Sequence, residues 1–409
     1  MLGALRPKLR SDRVVAAGCA VSAAAIYLVS SWGHAQPWTF FAPLARAFLQ
    51  GRWWLTETSP YLHELLPCGD GRYCVVYVPL PAIAVLPFTL FLPDAEAQRV
   101  ASSVYGGLAA APLYLVLRRL GAPLHVALLT TAFGSLGTTL WFTASDGRAW
   151  YFAHSVAVLL GSLAVLVAAS RGAPWLVGSL IGAAALARLP VGLAAFGLAL
   201  LTSQRRGESL PRTVALGALG MLPLVALELV YDQLRWGAPW EAGYARLAAT
   251  EPYYPQGLFS LSYLPRHLYV MFMQGPHYAG DGLLFARPSW VGMSLLLVSP
   301  AFLYAIPALR RLASRRELLP LALAAALPMV PNFLHGNIGW TQWGYRFSLD
   351  AQPFLLPLVA YGAALRRENE WGRVALGFVV LVAWSVVANL YGVLSLIHLD
   401  NVVMEFPPR

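Results

Sequence analysis

Arginine-rich segments recur along this chain, each at the end of a long apolar stretch. They are Arg6–Arg13, Arg118-Arg119, Arg171, Arg205-Arg206, Arg310–Arg316 and Arg366-Arg367. The stretches between them consist mainly of Ala, Leu, Val and Gly. In membrane proteins, Lys and Arg accumulate in the short cytoplasmic connections between spans. The pattern therefore predicts a polytopic membrane protein whose arginine-rich connections all face the cytoplasm.

Lipid is the predicted solvent for most of the surface. The 409 residues are 58% hydrophobic and 12% charged, whereas soluble domains carry about 25% charged residues. The net charge of +10 arises mainly from the arginine-rich segments, where retained cytoplasmic charge is expected. This location excludes a nucleic acid as the expected partner. The abundance of Arg, Ala and Gly is typical of a GC-rich bacterial genome.

The apolar stretches predict an all-α fold with about eleven membrane crossings, the N-terminus inside and the C-terminus outside. The first span, Val14–Trp32, lacks a small-residue cleavage site, so we expect it to remain as a signal anchor. A single transmembrane domain over residues 1–409 is expected, without a separate soluble domain. The further predicted spans are Val100–Leu117, Leu124–Thr143, Tyr151–Ser170, Pro174–Ala187, Val191–Ser203, Val214–Tyr231, Trp290–Leu309, Leu318–Leu334, Phe347–Leu365 and Val374–Leu396.

Two stretches differ from a simple crossing. Val78–Leu92 contains three prolines and is short for a hydrocarbon core of about 30 Å, so it predicts an interfacial or re-entrant helix on the outer surface. The two short spans after Arg171 are broken at Arg188–Pro190, and each is roughly 21 Å long. Two short helices that meet at a buried break would keep Arg171 and Arg205 on the same side of the membrane. A single tilted helix is the alternative.

Outside loops at about residues 33–99 and 232–289 contain much of the polar and aromatic side-chain chemistry. In the first loop, acid, imidazole, guanidinium and phenol groups lie close together in sequence. A carboxylate held against a membrane surface is suited to act as a general base, because burial raises its pKa toward neutrality. The alternative is a solvated loop with a glycine turn at Gly69–Gly71.

Cys68 and Cys74 flank that turn. An oxidising compartment would permit a disulfide between them, and two free thiols are the alternative. A metal site is disfavoured, because two thiols without nearby partners do not complete a coordination shell. The chain also lacks a clear Asp-x-Asp pair, so the sequence carries no strong signal for a divalent metal or another cofactor.

The order of elements resembles the GT-C class of integral membrane glycosyltransferases, which includes protein O-mannosyltransferases and aminoarabinose transferases. One span is followed by a large outside loop, an apolar helix with Leu80 between two prolines, and a span that ends in the Leu-Arg-Arg-Leu of Leu117–Leu120. Phe40–Arg52 and Gly344–Asp350 also match. The resemblance implies transfer of a sugar from a polyprenyl-phosphate donor to an acceptor hydroxyl at the outer face. The acceptor is a glycan, a lipid or a protein.

The resemblance also implies a carboxylate base in the first outside loop. In this class the acid usually lies just after the first span, shortly before the aromatic residue that matches Phe40 or Phe41. The corresponding stretch here, His34–Trp38, contains no carboxylate. Glu64 is therefore the expected base, and His63 and Asp70 are further catalytic candidates.

Basic residues facing the same site should hold the lipid phosphate. Arg346 is the first candidate, because a guanidinium donates bidentate hydrogen bonds to phosphate, and Asp350 is its expected buried partner. Arg188 is the second, since an ionised residue in an apolar stretch costs about 2.5–3.5 kcal/mol unless it faces a cavity or a carboxylate. A structural pair of Arg188 with Glu228 or Asp350 is the alternative.

Other polar and aromatic residues complete the expected site, although Trp and Tyr also concentrate at membrane interfaces. The further phosphate candidates are Arg72 and Arg148. The candidates for sugar or acceptor binding are Tyr345, Trp343, Gln342, His154, His335 and Asn337.

Two other functions remain as alternatives at this point. A flippase or transporter of lipid-linked sugars is disfavoured, because the chain shows no internal repeat of the kind common in transporters. A scaffold subunit of a cell-envelope complex is consistent with the missing carboxylate after the first span.

Overall fold

The computed structural model describes residues 9–278, 286–364 and 373–399, and most of them are helical. The first half contains α1 (Leu9–Ser30), α2 (Phe41–Leu49), α3 (Leu80–Thr89), α4 (Asp94–Leu108), α5 (Ala110–Arg119), α6 (Leu124–Leu136), α7 (Leu140–Asp146), α8 (Ala149–Ala169), α9 (Pro174–Ala185) and α10 (Ala195–Arg206). The second half contains α11 (Leu210–Trp236), α12 (Gly243–Thr250), α13 (Leu264–Phe272), α14 (Leu295–Val298), α15 (Ile306–Leu309), α16 (Leu319–Ala326), α17 (Met329–Leu334), α18 (Gln352–Ala363) and α19 (Leu376–Val393).

Short irregular and extended elements connect these helices. The 3₁₀ turns are Leu189–Ala194, Leu261–Tyr263, Pro300–Ala305, Arg316–Leu318 and Arg346–Asp350, and Leu394–His398 is a π-helical turn. Two antiparallel hairpins pair β1 (Leu65–Gly69) with β2 (Arg72–Val75) and β3 (His277–Tyr278) with β4 (Ala286–Arg287). The predicted arginine pair at residues 366 and 367 and the beginning of the first arginine-rich segment lie outside the described residues.

The chain is an integral membrane protein. Within the described residues, six helical segments are long and apolar enough to cross the ~30 Å hydrocarbon core, and α6 with α7, a pair of helices bent by 49°, makes a seventh if the pair forms one span. The six are Ser11–Ser30, Asp94–Arg119, Ala149–Ala169, Leu210–Trp236, Arg316–Leu334 and Leu376–His398. The larger predicted number of crossings includes shorter apolar segments and stays a prediction.

The irregular stretches of the sequence fold largely as expected. The proline-rich stretch within the first loop forms α3, a 10-residue helix. The broken pair forms α9 and α10, with Arg188 in an extended conformation (φ −147°, ψ 101°) at the break. The expected continuous span Trp290–Leu309 is wrong. Its helical part begins only at Leu295 and is interrupted before Pro300, because proline lacks an N–H and disfavours the α conformation of the preceding residue.

The loop that follows α1 contains the hairpin of β1 and β2. Gly71 adopts φ +63° in the turn, a conformation that favours glycine, and a disulfide joins Cys68 to Cys74 across the two strands. At the end of α11, buried Arg235 donates to the backbone carbonyls of Val75 and Tyr77, the latter at 2.9 Å. The hairpin is thereby held against a membrane-spanning helix.

Candidate active site

Glu64 lies directly before β1 and is partly buried. The indole N–H of Trp150, in the first turn of α8, donates to Glu64 Oε2 at 2.7 Å and also to Tyr77 Oη at 2.6 Å. Burial raises the pKa of Glu64 to about 7 and the charge of Glu251 adds to the rise, whereas the Trp150 hydrogen bond and the charge of Arg346 oppose it. A carboxyl group with this pKa is well suited to accept a proton near neutral pH.

Arg346 lies at the start of a 3₁₀ turn and is only 6% exposed. Its Nη1 donates to Gln342 Oε1 at 3.1 Å, and the rings of Tyr151 and Phe347 lie 5.3 and 5.2 Å from its guanidinium carbon. Burial lowers the pKa of Arg346 to about 10, so the group stays charged at neutral pH. In the part of the chain that the structure describes, no carboxylate lies within 4.0 Å of it. A buried, uncompensated guanidinium is a suitable receptor for an anion.

The expected ion pair between Arg346 and Asp350 is wrong, because Asp350 belongs to a different network. Its Oδ2 accepts from Arg188 Nη2 and from Asn332 Nδ2, both at 2.8 Å, and His154 Nδ1 lies 3.1 Å from its Oδ1. Residues 346–350 form a 3₁₀ turn rather than an α-helix. With three residues per turn, positions i and i+4 no longer share a face.

Arg188 thus has the structural partner that the sequence offered as an alternative, namely Asp350. The other proposed partner, Glu228, lies 3.8 Å from Arg235 instead. Arg188 nevertheless lies near Arg346, since its side chain is 14% exposed and its guanidinium carbon lies 5.2 Å from the Phe347 ring, which Arg346 also contacts. Arg188 and Arg346 therefore pack against the same ring, and among the described residues only Arg188 is paired with a carboxylate, Asp350. The two guanidinium groups thus leave excess positive charge.

Asp350→Asn is expected to destabilise the fold strongly, because it removes the charge that compensates buried Arg188. Breaking one side of a buried ion pair costs about 3–5 kcal/mol. Thermal unfolding of the purified protein in detergent measures the effect. Asp94→Asn is the matched control, because the Arg46–Asp94 pair is 44% and 33% exposed and such pairs contribute about 0–1 kcal/mol. Equal unfolding temperatures for the two variants would contradict the structural role of Asp350.

Three predicted residues of the first loop lie at the exposed side of the hairpin. Asp70 and Arg72 are exposed at the glycine turn, and the guanidinium of Arg72 lies 4.5 Å above the Trp54 ring. His63 is exposed, with its ring 6.3 Å from that of Trp150. Because the turn directs Asp70 and Arg72 toward solvent, the structure does not bring these two residues together with Glu64.

Several residues expected to touch phosphate or sugar are occupied by contacts within the protein. Buried Arg148 pairs with Asp146 at 3.1 Å. The hydroxyl of Tyr345 lies 2.7 Å from His267 Nδ1. Trp343 is packed so closely on Gly392 that an added Cβ would lie 2.2 Å from its ring. His154 is fully buried beside Asp350.

Gln342 holds other residues in place, because both ends of its amide are used within the protein. Its Nε2 donates to Val291 O at 2.6 Å and to Ile338 O at 3.2 Å, while its Oε1 accepts from Arg346. His335 and Asn337 remain partly exposed. Burial lowers the pKa of His335 to about 4, so its ring is neutral at physiological pH.

The structure adds residues that the sequence did not identify. Trp150 donates a hydrogen bond to Glu64 and a second one to Tyr77. Three further residues lie within electrostatic range of the Glu64 carboxylate, namely Glu251, Tyr244 and Tyr254. The abundance of aromatics in the second outside loop was visible in the sequence. Which of them face Glu64 depends on how that loop folds over the hairpin, and no local pattern encodes this.

Comparisons with known proteins support a GT-C fold. No family model matches the sequence, and no curated protein matches it by sequence. The crystal structure of ArnT from Cupriavidus metallidurans bound to undecaprenyl phosphate is similar, with a TM-score of 0.50 and 14% identity over 94% of this chain and 77% of that chain. The chain therefore has the fold of the GT-C class of membrane glycosyltransferases.

Two other solved structures show a weaker likeness. The Pmt1-Pmt2 protein O-mannosyltransferase complex of S. cerevisiae, bound to the sugar donor, matches with a TM-score of 0.38 and 15% identity over 65% of this chain and 37% of that chain. The oligosaccharyltransferase of Archaeoglobus fulgidus in the apo form matches with a TM-score of 0.43 and 14% identity, over 96% of this chain and 57% of that chain.

Proposed function

We propose that this protein transfers a sugar from a polyprenyl-phosphate-linked donor to an acceptor hydroxyl at the outer face of the membrane. The observation that carries the proposal is that Glu64, whose pKa is raised to about 7, lies within electrostatic range of Arg346, a buried cation without a carboxylate partner among the described residues. The fold supports it, since the ArnT structure with the same fold binds undecaprenyl phosphate, the leaving group of such a reaction.

The proposed step needs one base and one anion site. Glu64 takes the proton of the acceptor hydroxyl. At the same time the oxygen of that hydroxyl forms a bond to the anomeric carbon of the donor sugar. The bond between that carbon and the phosphate oxygen breaks, and polyprenyl phosphate leaves with the electron pair and one additional negative charge. Arg346, assisted by Arg188, stabilises this charge as it develops.

The outer face is proposed from the position of the charges. We assign the arginine-rich connections to the cytoplasm, and the hairpin and Glu64 would then lie on the opposite side. The disulfide between Cys68 and Cys74 suits an oxidising compartment. About eleven crossings, with the N-terminus cytoplasmic and the C-terminus outside, complete the proposed topology. A glycan, lipid or protein hydroxyl would serve as the acceptor.

The pH dependence of transfer tests this proposal. Since Glu64 acts as a base only when it is deprotonated, kcat/KM is expected to rise with pH through about 7. Trp150→Phe removes a hydrogen bond to the carboxylate and should move this acidic limb to higher pH. Glu251→Gln removes a repelling charge and should move it to lower pH. Transfer from undecaprenyl-phosphate-linked sugars by the reconstituted protein is the assay, and shifts of the limb in the same direction for both variants would contradict the assignment.

A further inference from the structure

Three aromatic side chains form one continuous group in the outer part of the molecule. The ring centroids of Trp290 and Trp340 are 5.2 Å apart, and the Tyr253 ring lies 5.8 Å from Trp290 and 6.4 Å from Trp340. Trp290 is only 3% exposed, whereas Tyr253 and Trp340 keep part of their surface accessible. We call Tyr253, Trp290 and Trp340 the aromatic surface.

The aromatic surface is connected directly to the proposed phosphate ligand. Arg346 Nη1 lies 3.5 Å from the carbonyl oxygen of Trp340 as well as 3.1 Å from Gln342 Oε1. The backbone N–H of Gln342 donates to Trp290 O at 3.3 Å, and Tyr151 Oη donates to Trp340 O at 2.7 Å. The same few contacts therefore position the two indole rings and the guanidinium.

The other end of the aromatic surface approaches the proposed base. Tyr254, the neighbour of Tyr253 in sequence, is within electrostatic range of Glu64, and so is Glu251. A ligand on the aromatic surface would thus be close to both groups that the transfer requires. The donor sugar must occupy such a position, because it is covalently joined to the phosphate and is attacked by the deprotonated acceptor.

We propose that the aromatic surface binds the sugar ring of the donor, an inference that rests on the proposed function. Aromatic side chains offer a large, rigid apolar face with polar groups at its edge, which matches the C–H and O–H groups of a sugar ring. The tryptophan and tyrosine expected from the sequence, Trp343 and Tyr345, are 3% and 0% exposed. The partly exposed Trp340 and Tyr253 take that role instead.

Binding measurements with two kinds of lipid test this assignment. The probes are undecaprenyl phosphate and its glucose, mannose and arabinose esters, bound to the full chain in lipid nanodiscs. Trp340→Ala is expected to weaken binding of the preferred glycosylated lipid about tenfold and to leave binding of undecaprenyl phosphate within about twofold. Tyr253→Ala should act in the same direction, and Trp340→Phe should retain most of the affinity. Trp240→Ala is the matched control, since Trp240 is 83% exposed and lies in the same loop as Tyr253.

The outcomes separate this inference from the proposed function. Equal weakening of both kinds of lipid by Trp340→Ala, no weakening of either, or equal binding of all four probes by the unaltered protein overturns the sugar-binding role. Arg346→Ala is expected to weaken both kinds of lipid. If it changes neither, the phosphate site and with it the proposed function are wrong, whatever the result for Trp340.

Discussion

Glu64→Gln is expected to reduce the rate of sugar transfer about 10²–10⁴-fold, the contribution typical of a positioned general base. Glutamine keeps the size of the side chain and an oxygen that accepts from the Trp150 indole, so the local packing is preserved. It cannot accept the proton of the acceptor hydroxyl. The measurement is single-turnover transfer from an undecaprenyl-phosphate-linked sugar by the protein reconstituted in liposomes, with donor binding measured in parallel.

Glu57→Gln is the matched control for this experiment. Glu57 lies in the same outside loop and is exposed, so its replacement should leave the rate unchanged. Full transfer activity of the Glu64→Gln variant would remove Glu64 from the role of base. If the unaltered protein moves the glycolipid across the bilayer without forming a new glycosidic bond, a flippase would replace the transferase as the better explanation.

Arg346→Ala is expected to weaken binding of undecaprenyl phosphate by about 1.5–3 kcal/mol, the contribution of a hydrogen bond to a charged group, or about 10–150-fold in Kd. The affinity of the Arg346→Lys variant for undecaprenyl phosphate should lie between those of the unaltered protein and Arg346→Ala. Lysine keeps the charge but loses the planar guanidinium that binds two phosphate oxygens. Titration of the purified protein with undecaprenyl phosphate measures both variants.

Stability without ligand distinguishes this effect from unfolding. Arg346 has no carboxylate partner within the described part of the chain, so its removal leaves no opposite charge unpaired, and the unfolding temperature should not fall as it does for Asp350→Asn. Arg46→Ala, which breaks an exposed pair with Asp94, should change neither binding nor stability appreciably. Unaltered phosphate binding by Arg346→Ala would exclude Arg346 as the anion ligand.

The helices that cross the membrane could be predicted because lipid imposes a long apolar stretch on each of them. The spans at α1, α8, α11 and α19 all lie close to their predicted bounds. The stretch before Leu295 was misassigned, since Trp290 and Val291 form a turn and the residues after them lie outside any helix. Met293 there forms a parallel bridge with Gly344. A long-range pairing of this kind satisfies the backbone of an apolar segment without a helix, and it leaves no periodicity to read.

The sequence pointed to Arg188 because an ionised group in an apolar stretch needs a cavity or a carboxylate, and it offered Asp350 as one possible partner. Glu64 and Arg346 were chosen as the carboxylate and the phosphate ligand that the family resemblance implies, and their contacts were not predicted. Asp350 was assigned to Arg346 on the assumption of α-helical spacing, which the 3₁₀ turn does not follow. Trp343 and Trp340 could not be distinguished either, because they lie in an irregular segment where neither the helical nor the strand period predicts which side chain is buried.

Glu64 and Arg346 come from opposite ends of the chain, the first before β1 and the second before α18. Most of the protein must therefore leave the ribosome and enter the bilayer before the two groups meet. A nascent or prematurely terminated chain would display the hairpin at the membrane surface without the cation that complements its carboxylate. If the proposed function is right, such a fragment could not transfer sugar from the lipid carrier. Activity would then begin only when membrane insertion is nearly finished.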